Sequence, residues 1–248
     1  MLEKKINLFE YNQALRVRED ISKKIKEDRL EDEVSHFIEW YNERVMAAEK
    51  INITEVSLNE LKDWEEKNIN GKNVIAHSSN DFFQIIGLRM SNTDTREVGN
   101  GWDQPIIKQI GLDGGILGLL ISFEANYPKI LIEAKFEPGN FNKIQISPTL
   151  QATFANINKK HGGRQPRFVD VFLNPDQYDA RVLLDQYMSE DGGRLYKKRN
   201  KGMIIEISEN YSLTIKDNFC WLSLYQLKSL IKINSWVNPH VRSLISHL

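Results

Sequence analysis

Glu133, Lys135 and Glu137 stand two residues apart in Ile130-Leu-Ile-Glu-Ala-Lys-Phe-Glu137. Along a strand they share one side, while Ile130, Ile132, Ala134 and Phe136 share the other. A cation between two carboxylates favours the charged forms of all three unless burial intervenes. Pro138-Gly-Asn140 supplies turn residues, after which Ile144 and Ile146 resume the apolar alternation. An antiparallel hairpin centred near Asn140 predicts Lys135 opposite Gln145 and Glu133 opposite Ser147, a register that a one-residue slip would destroy. If the chain stays extended past Pro148, then Lys143, Gln145, Ser147, Thr149, Gln151 and Thr153 join the same wall. The alternative is a hairpin whose polar side merely faces water. Gln, Ser and Thr outnumber Lys and Glu here, and such short polar groups suit a sugar or a base edge. The chemistry expected is binding of a polar organic ligand in a preorganised pocket.

Three further groups could serve that chemistry. His161-Gly-Gly-Arg164 offers an imidazole, a flexible backbone and a cation, or else a loop histidine with a single hydrogen bond. Glu190-Asp-Gly-Gly-Arg194, followed by Lys197, Lys198 and Arg199, resembles a phosphate cradle, with a plain Gly-Gly turn as the alternative. Trp64 reads as a core residue of an amphipathic helix, although an indole face can also stack on a nucleobase. Several familiar chemistries are missing: there is no Walker loop, no Gly-x-Gly-x-x-Gly, no Gly-x-Ser-x-Gly elbow and no His-Glu-x-x-His helix. The acidic helix of a metal-dependent Nudix hydrolase is missing as well, since Arg96-Glu-Val98 alone does not meet its pattern.

The elements that must hold these groups change character along the chain. Residues 7–50 read as helical, rich in charge and free of Pro and Gly. Leu30, Val34, Phe37, Ile38, Tyr41 and Val45 form an apolar stripe that must pack on the rest of the chain or on a second subunit. Ser57-Leu-Asn-Glu60 has capping-box spacing and predicts a short helix carrying Leu61 and Trp64, and Asn70-Gly71 marks a turn. Strands are predicted over 74–76, 82–90, 116–123, 130–136 and 143–147, with another pair at 203–207 and 211–215. The run 169–173 is ambiguous and reads as a further strand. Residues 221–234 read as helix from Leu224, Leu227, Leu230 and Ile231; Asn238-Pro239 breaks it, and 241–248 forms a last helical turn. One α+β domain with helical additions at both ends is the economical organisation.

Composition narrows the class. In 248 residues, 41% hydrophobic and 27% charged content is that of a soluble globular protein, and the formal net charge of -1 disfavours extended nucleic acid. The single cysteine, Cys220, excludes an internal disulfide framework and reads as a buried structural thiol within Phe219-Cys-Trp221. The N-terminus, Met1-Leu-Glu-Lys-Lys5, shows no signal-peptide pattern, and no apolar run approaches the ~20 residues of a membrane span. A cytoplasmic location without membrane attachment is expected.

Taken together, the blocks at 102–109, 115–118, 134–140, 147–153 and 161–163 resemble the NDP-hexose 2,3-dehydratase family of deoxysugar biosynthesis. His77 with Phe82-Phe83, the segment 190–194, Arg199-Asn200 and the stretch 237–242 support it, so the likeness runs from about Phe37 onward. The resemblance implies a Nudix-like mixed β-sheet domain over 57–248 without Nudix hydrolysis, and a helical segment over 1–56 available for a dimer contact. Usual members carry two such repeats and this sequence has one, so a homodimer would restore the pairing. Other departures are Gly111-Leu-Asp-Gly114, where a shorter acidic stretch is common, and Phe154, where an arginine is common.

The substrate implied is a nucleotide-linked 4-keto sugar of the dTDP-4-keto-6-deoxy-glucose type, dehydrated to a 3,4-diketo-2,6-dideoxyhexose. No redox cofactor or metal is implied. Carried onto this chain, the ligand-contacting positions are Trp64, Gln145, Ser147, Pro148, Thr149, Leu150, Gln151, Thr153, Glu190, Asp191, Gly192, Gly193 and Arg194. From the chemistry, Lys135 is the enolate stabiliser, and Glu137 or His161 is the base. A non-catalytic sugar-nucleotide-binding or dimerisation subunit, derived from a silent repeat, is the alternative.

Overall fold

The computed structural model describes residues 33–92, 94, 99–110, 114–124, 127–160, 162–189, 192–208, 211 and 213–248. Its eleven named strands lie in two sheets. The smaller is an antiparallel meander of β1 (Trp64–Ile69), β2 (Lys72–His77), β3 (Phe83–Met90) and β4 (Trp102–Gln109), in that order. The Asn70-Gly71 turn closes its first hairpin, with both residues at positive φ (52° and 76°), as the two-residue hairpin turn demands.

The larger sheet contains β5 (Gly115–Glu124), β6 (Tyr127–Phe136), β7 (Ile144–Pro148), β8 (Leu150–Thr153), β9 (Arg181–Met188), β10 (Asn200–Glu206) and β11 (Phe219–Ser223). Its main path runs β11-β6-β5-β10-β9, and β10 is parallel to β5 while the other pairs are antiparallel. The architecture is therefore α+β with a mixed sheet and helices at both ends of the described chain.

The centre of this sheet is wedged open. β5 and β6 pair from Glu124/Tyr127 to Leu120/Leu131 and then part. The continuous segment 144–153 enters the gap, with β7 pairing to β6 and β8 pairing to β5. Thr149 sits at the point of divergence. Its hydroxyl accepts the Leu120 N–H at 3.0 Å and donates to the Leu131 carbonyl, so the groups that lose their ladder partners are satisfied by a side chain.

Both faces of the wedge are packed. On one, Leu119, Ile121, Ile130 and Ile132 meet the helix Glu33–Glu49 through Phe37 and Tyr41, and meet the C-terminal helices Leu224–Leu230 and Pro239–Ile245. The Tyr41 hydroxyl donates to the Ile144 carbonyl at 3.1 Å, pinning the first helix to the start of β7. Phe37, Tyr41 and Val45 of the predicted apolar stripe thus pack on their own chain. On the other face, Ile116, Leu120, Leu131 and Leu150 lie under Ile157, Val169 and Phe172. Gly118 admits the Phe172 ring, since a Cβ there would stand 2.2 Å from a ring carbon.

Several local expectations are corrected. The capping box at Ser57 is real but yields only the single 3-10 turn Leu58–Glu60. Leu61 is already extended and Asp63 has φ +62°, so Trp64 opens a strand and lies on no helix. Residues Val169–Leu173 form a helical turn, entered through Phe168 at φ +59°, which buries Val169, Val171 and Phe172 together. Trp221 belongs to β11, and the helix begins three residues later, where the Ser223 hydroxyl and the Gln226 side chain cap each other's backbone. Asn238-Pro239 starts a helix, the Asn238 side chain accepting from His240 N–H with proline at the first turn. No strand forms among the described residues of 211–215, and β1, β4 and β9 were not anticipated as strands. The helix predicted from residue 7 and the stripe residue Leu30 lie outside the described residues up to Glu33. Among the described residues no helix is long and apolar enough to cross a membrane.

Candidate functional site

The predicted hairpin register is the one observed: Glu133 pairs with Ser147 and Lys135 with Gln145. The turn closes through Glu137 N–H to Lys143 C=O and Asn140 N–H to Glu137 C=O, both 3.0 Å, with Lys143 at φ +61°. β6 therefore presents Glu133 and Lys135, Glu137 follows directly after it at the start of the turn, and all three are half-buried.

Their contacts join them into one cluster. Lys135 Nζ donates to the Gln151 carbonyl at 2.9 Å and stands 3.8 Å from Glu133 Oε2. The Gln151 amide nitrogen donates to Glu137 Oε1 at 2.8 Å. The other amide atom, Gln151 Oε1, is buried and has no hydrogen-bond partner among the described residues. Asn218 Nδ2 donates to Glu133 Oε1 at 2.9 Å from the loop before β11. Burial pushes the Glu133 carboxyl above the ordinary glutamate value; Lys135 opposes that, the Glu137 charge adds to it, and the Asn218 bond opposes it.

The other expected contact residues divide by position. Ser147, Pro148, Thr149 and Leu150 are buried. Thr149 holds the strand divergence, Leu150 packs in the second core, and the Ser147 hydroxyl reaches the Gln145 carbonyl at 3.4 Å. Thr153 caps the helical turn Phe154–Ile157 by accepting from Asn156 N–H at 3.3 Å. The Gln145 side chain donates to the Ser235 carbonyl at 3.1 Å, tying the wall to the C-terminal segment.

Trp64 lies in the smaller sheet, away from this strand in topology. It meets His77 edge-on with ring centroids 5.7 Å apart, and His77 meets Phe82 in the same manner at 4.9 Å. Gly192 and Gly193 are exposed at φ +57° and +82°, and Arg194 follows them at the surface. The next residues dock on β4, where Tyr196 N–H reaches the Ile107 carbonyl at 2.8 Å. A groove of 520 Å³ opens beside them on the smaller sheet, with Lys72, Lys108 and Tyr196 around Val74 and Ile86. His161, Glu190 and Asp191 lie outside the described residues.

Sequence reasoning placed Glu133 on the wall without a role and overlooked Asn218. Alternation could show which side Glu133 takes. Only the three-dimensional packing shows that it is the carboxylate enclosed between Lys135 and Asn218.

A family model described as NDP-hexose 2,3-dehydratase matches residues 34–248. The dTDP-4-dehydro-6-deoxy-alpha-D-glucopyranose 2,3-dehydratase of Streptomyces violaceoruber is 36% identical over 212 residues, covering 86% of this chain and 46% of that protein. The protein of the same description from Amycolatopsis orientalis is 35% identical over 213 residues, covering 84% of this chain and 43% of its own length. The chain thus spans a little under half the length of these relatives. Among solved structures, the C. elegans Ap4A hydrolase aligns with a TM-score of 0.32 at 11% identity, over 55% of this chain and 96% of that one.

Proposed function

This chain belongs to the NDP-hexose 2,3-dehydratase family, and from that premise we propose that it removes water from a nucleotide-linked 4-keto-6-deoxyhexose. The substrate is of the dTDP-4-keto-6-deoxy-glucose type and the product a 3,4-diketo-2,6-dideoxyhexose. The 4-ketone acidifies the hydrogen on carbon 3, because the carbanion left behind delocalises as an enolate. A base removes that proton, the carbon 2 hydroxyl departs as water, and the resulting enol tautomerises to the diketone.

The observation that carries this reading is the Glu133-Lys135-Glu137 cluster, with Gln151 bridging its far end. Lys135 supplies positive charge to the developing enolate oxygen. Glu137 takes the proton from carbon 3, with His161 the competing candidate. Residues 57–248 form the sugar-nucleotide-binding domain, with Trp64, Gln145, Gln151 and the 190–194 segment contributing to the ligand's surroundings.

The half-length match to the relatives supports two extensions. A homodimer would supply a second copy where the relatives carry more chain. Its contact would use the apolar side chains left at the surface of the 1–56 segment, Met46, Ile51, Ile53 and Val56. The second reading, a non-catalytic sugar-nucleotide-binding subunit, draws on the same observation.

Incubating pure protein with the 4-keto sugar nucleotide decides between them. Water loss without added cofactor is expected; binding without turnover would transfer the chain to the second reading. Glu137→Gln is expected to lower turnover by about a hundredfold or more with the fold intact. Wild-type turnover in that variant would remove Glu137 from the mechanism.

A further inference from the structure

We propose that Glu133 is the proton donor to the departing hydroxyl, acting beside Glu137 as the base. This assignment rests on the dehydratase reading above and deepens it. A hydroxyl on carbon 2 is a poor leaving group unless it is protonated as the bond to carbon breaks. The site therefore needs an acid as well as a base, and the two must reach neighbouring carbons.

The geometry supplies the second carboxylate. In a gluco-configured ring, the hydrogen on carbon 3 and the hydroxyl on carbon 2 lie on the same side. Glu133 and Lys135 stand two apart on β6 and project from one side of it, and Glu137, the residue after the strand's end, is tied to the same cluster by the Gln151 amide. The two carboxylates are held by different partners. Glu137 Oε1 is engaged by the Gln151 amide at 2.8 Å, and Glu133 Oε1 by Asn218 at 2.9 Å, leaving Glu133 Oε2 beside Lys135 at 3.8 Å. The neutral Asn218 and Ser147 flank Glu133 from the loop before β11 and from β7, and the charged groups facing it are Lys135 and Glu137.

Two carboxyls set in different surroundings divide acid from base work. Burial favours the protonated form of Glu133, as an acid requires. The step balances as follows. The Glu137 carboxylate takes the carbon 3 proton, and the electron pair enters the enolate beside Lys135. The carbon 2–oxygen bond breaks, the pair re-forms the ketone with a carbon 2–carbon 3 double bond, and Glu133 gives its proton to the leaving oxygen, releasing water. In tautomerisation, Glu137 returns its proton to carbon 2, and the carbon 3 hydroxyl gives its own to Glu133. Both residues are restored, and the net change is loss of one water.

The test runs the reaction in deuterium oxide and follows deuterium entering carbon 3 of recovered substrate together with formation of product. Glu133→Gln retains shape and the bond from Asn218. It is expected to slow water loss by about a hundredfold or more while carbon 3 exchange continues near the wild-type rate. Glu137→Gln is expected to lose exchange and water loss together. In the wild type, water loss should fall as pH rises through the Glu133 transition while carbon 3 exchange persists, a readout that needs no variant. The assignment is overturned if Glu133→Gln loses both activities in proportion, or if it dehydrates at the wild-type rate. A wild type that neither exchanges nor dehydrates overturns the dehydratase reading itself; a working wild type with an unaffected Glu133→Gln overturns the acid role alone.

Discussion

The Thr149 hydroxyl donates to the Leu131 carbonyl at the rung where β5 and β6 cease to pair, and accepts the Leu120 N–H at 3.0 Å in the same place. One side chain thus replaces the ladder bonds that divergence would remove. Thr149→Val keeps the volume and removes the hydroxyl, leaving a buried N–H and a buried C=O unpaired. The expected loss is about 1–3 kcal/mol for each stranded group, read as a lower urea midpoint at unchanged slope. An unchanged midpoint would show that the backbone re-pairs without it.

Gly118 faces the Phe172 ring, and any Cβ at this position overlaps it. Gly118→Ala should cost about 1–3 kcal/mol through displacement of the ring. Combining it with Phe172→Leu should recover part of that loss, because the two changes act on one volume. Additive losses from the pair would place the strain elsewhere.

Glu133 gives a pH dependence of known sign. Its folded-state carboxyl titrates above the ordinary value of 4.5, so the native protein binds this proton more tightly than the unfolded chain does. The stability that comes with the proton is fully present below the unfolded pKa and is lost as pH rises through the folded one. Glu133→Gln cannot titrate. Its melting temperature relative to wild type should therefore climb as pH rises from the ordinary glutamate value of 4.5 through the Glu133 transition. A constant difference across that range would mean the carboxyl is well hydrated.

Burial pushes the Cys220 thiol up from 9.0 to about 11. The thiolate fraction at mildly alkaline pH is then about a hundredfold below that of an unshifted thiol. Alkylation of native protein should be slower by at least that factor than in denaturant. Equal rates in the two states would contradict the half-buried setting that Cys220 has in β11.

What the sequence made legible was the hairpin over 130–147, because alternation on both sides of Pro138-Gly-Asn140 puts Ile132 and Ile146 on the inner face and the turn residues fix where the strands reverse. The wedge was not legible. Nothing in the order of residues says that a strand following β6 will insert between β6 and its predecessor, so Thr149 reads as part of the polar wall when it lies buried at the divergence and bonds both strands. Short apolar runs misled for a simpler reason. Val169–Leu173 is too brief for period to separate strand from helical turn, and the Leu224, Leu227 and Leu230 stripe hid its own start at the Ser223 cap. β1 was missed because its four central residues are polar and none of its residues is buried, which leaves almost no apolar rhythm to read.

With 144–153 inserted between β5 and β6, neither neighbour in the folded chain completes its hydrogen bonding without a stretch that follows it in sequence, so the polar row on β6 and the core beneath it depend on the same insertion. A chain ending short of Gln151 would leave Lys135 without the carbonyl that anchors it. The polar cluster is thereby a product of the completed sheet and not of one strand.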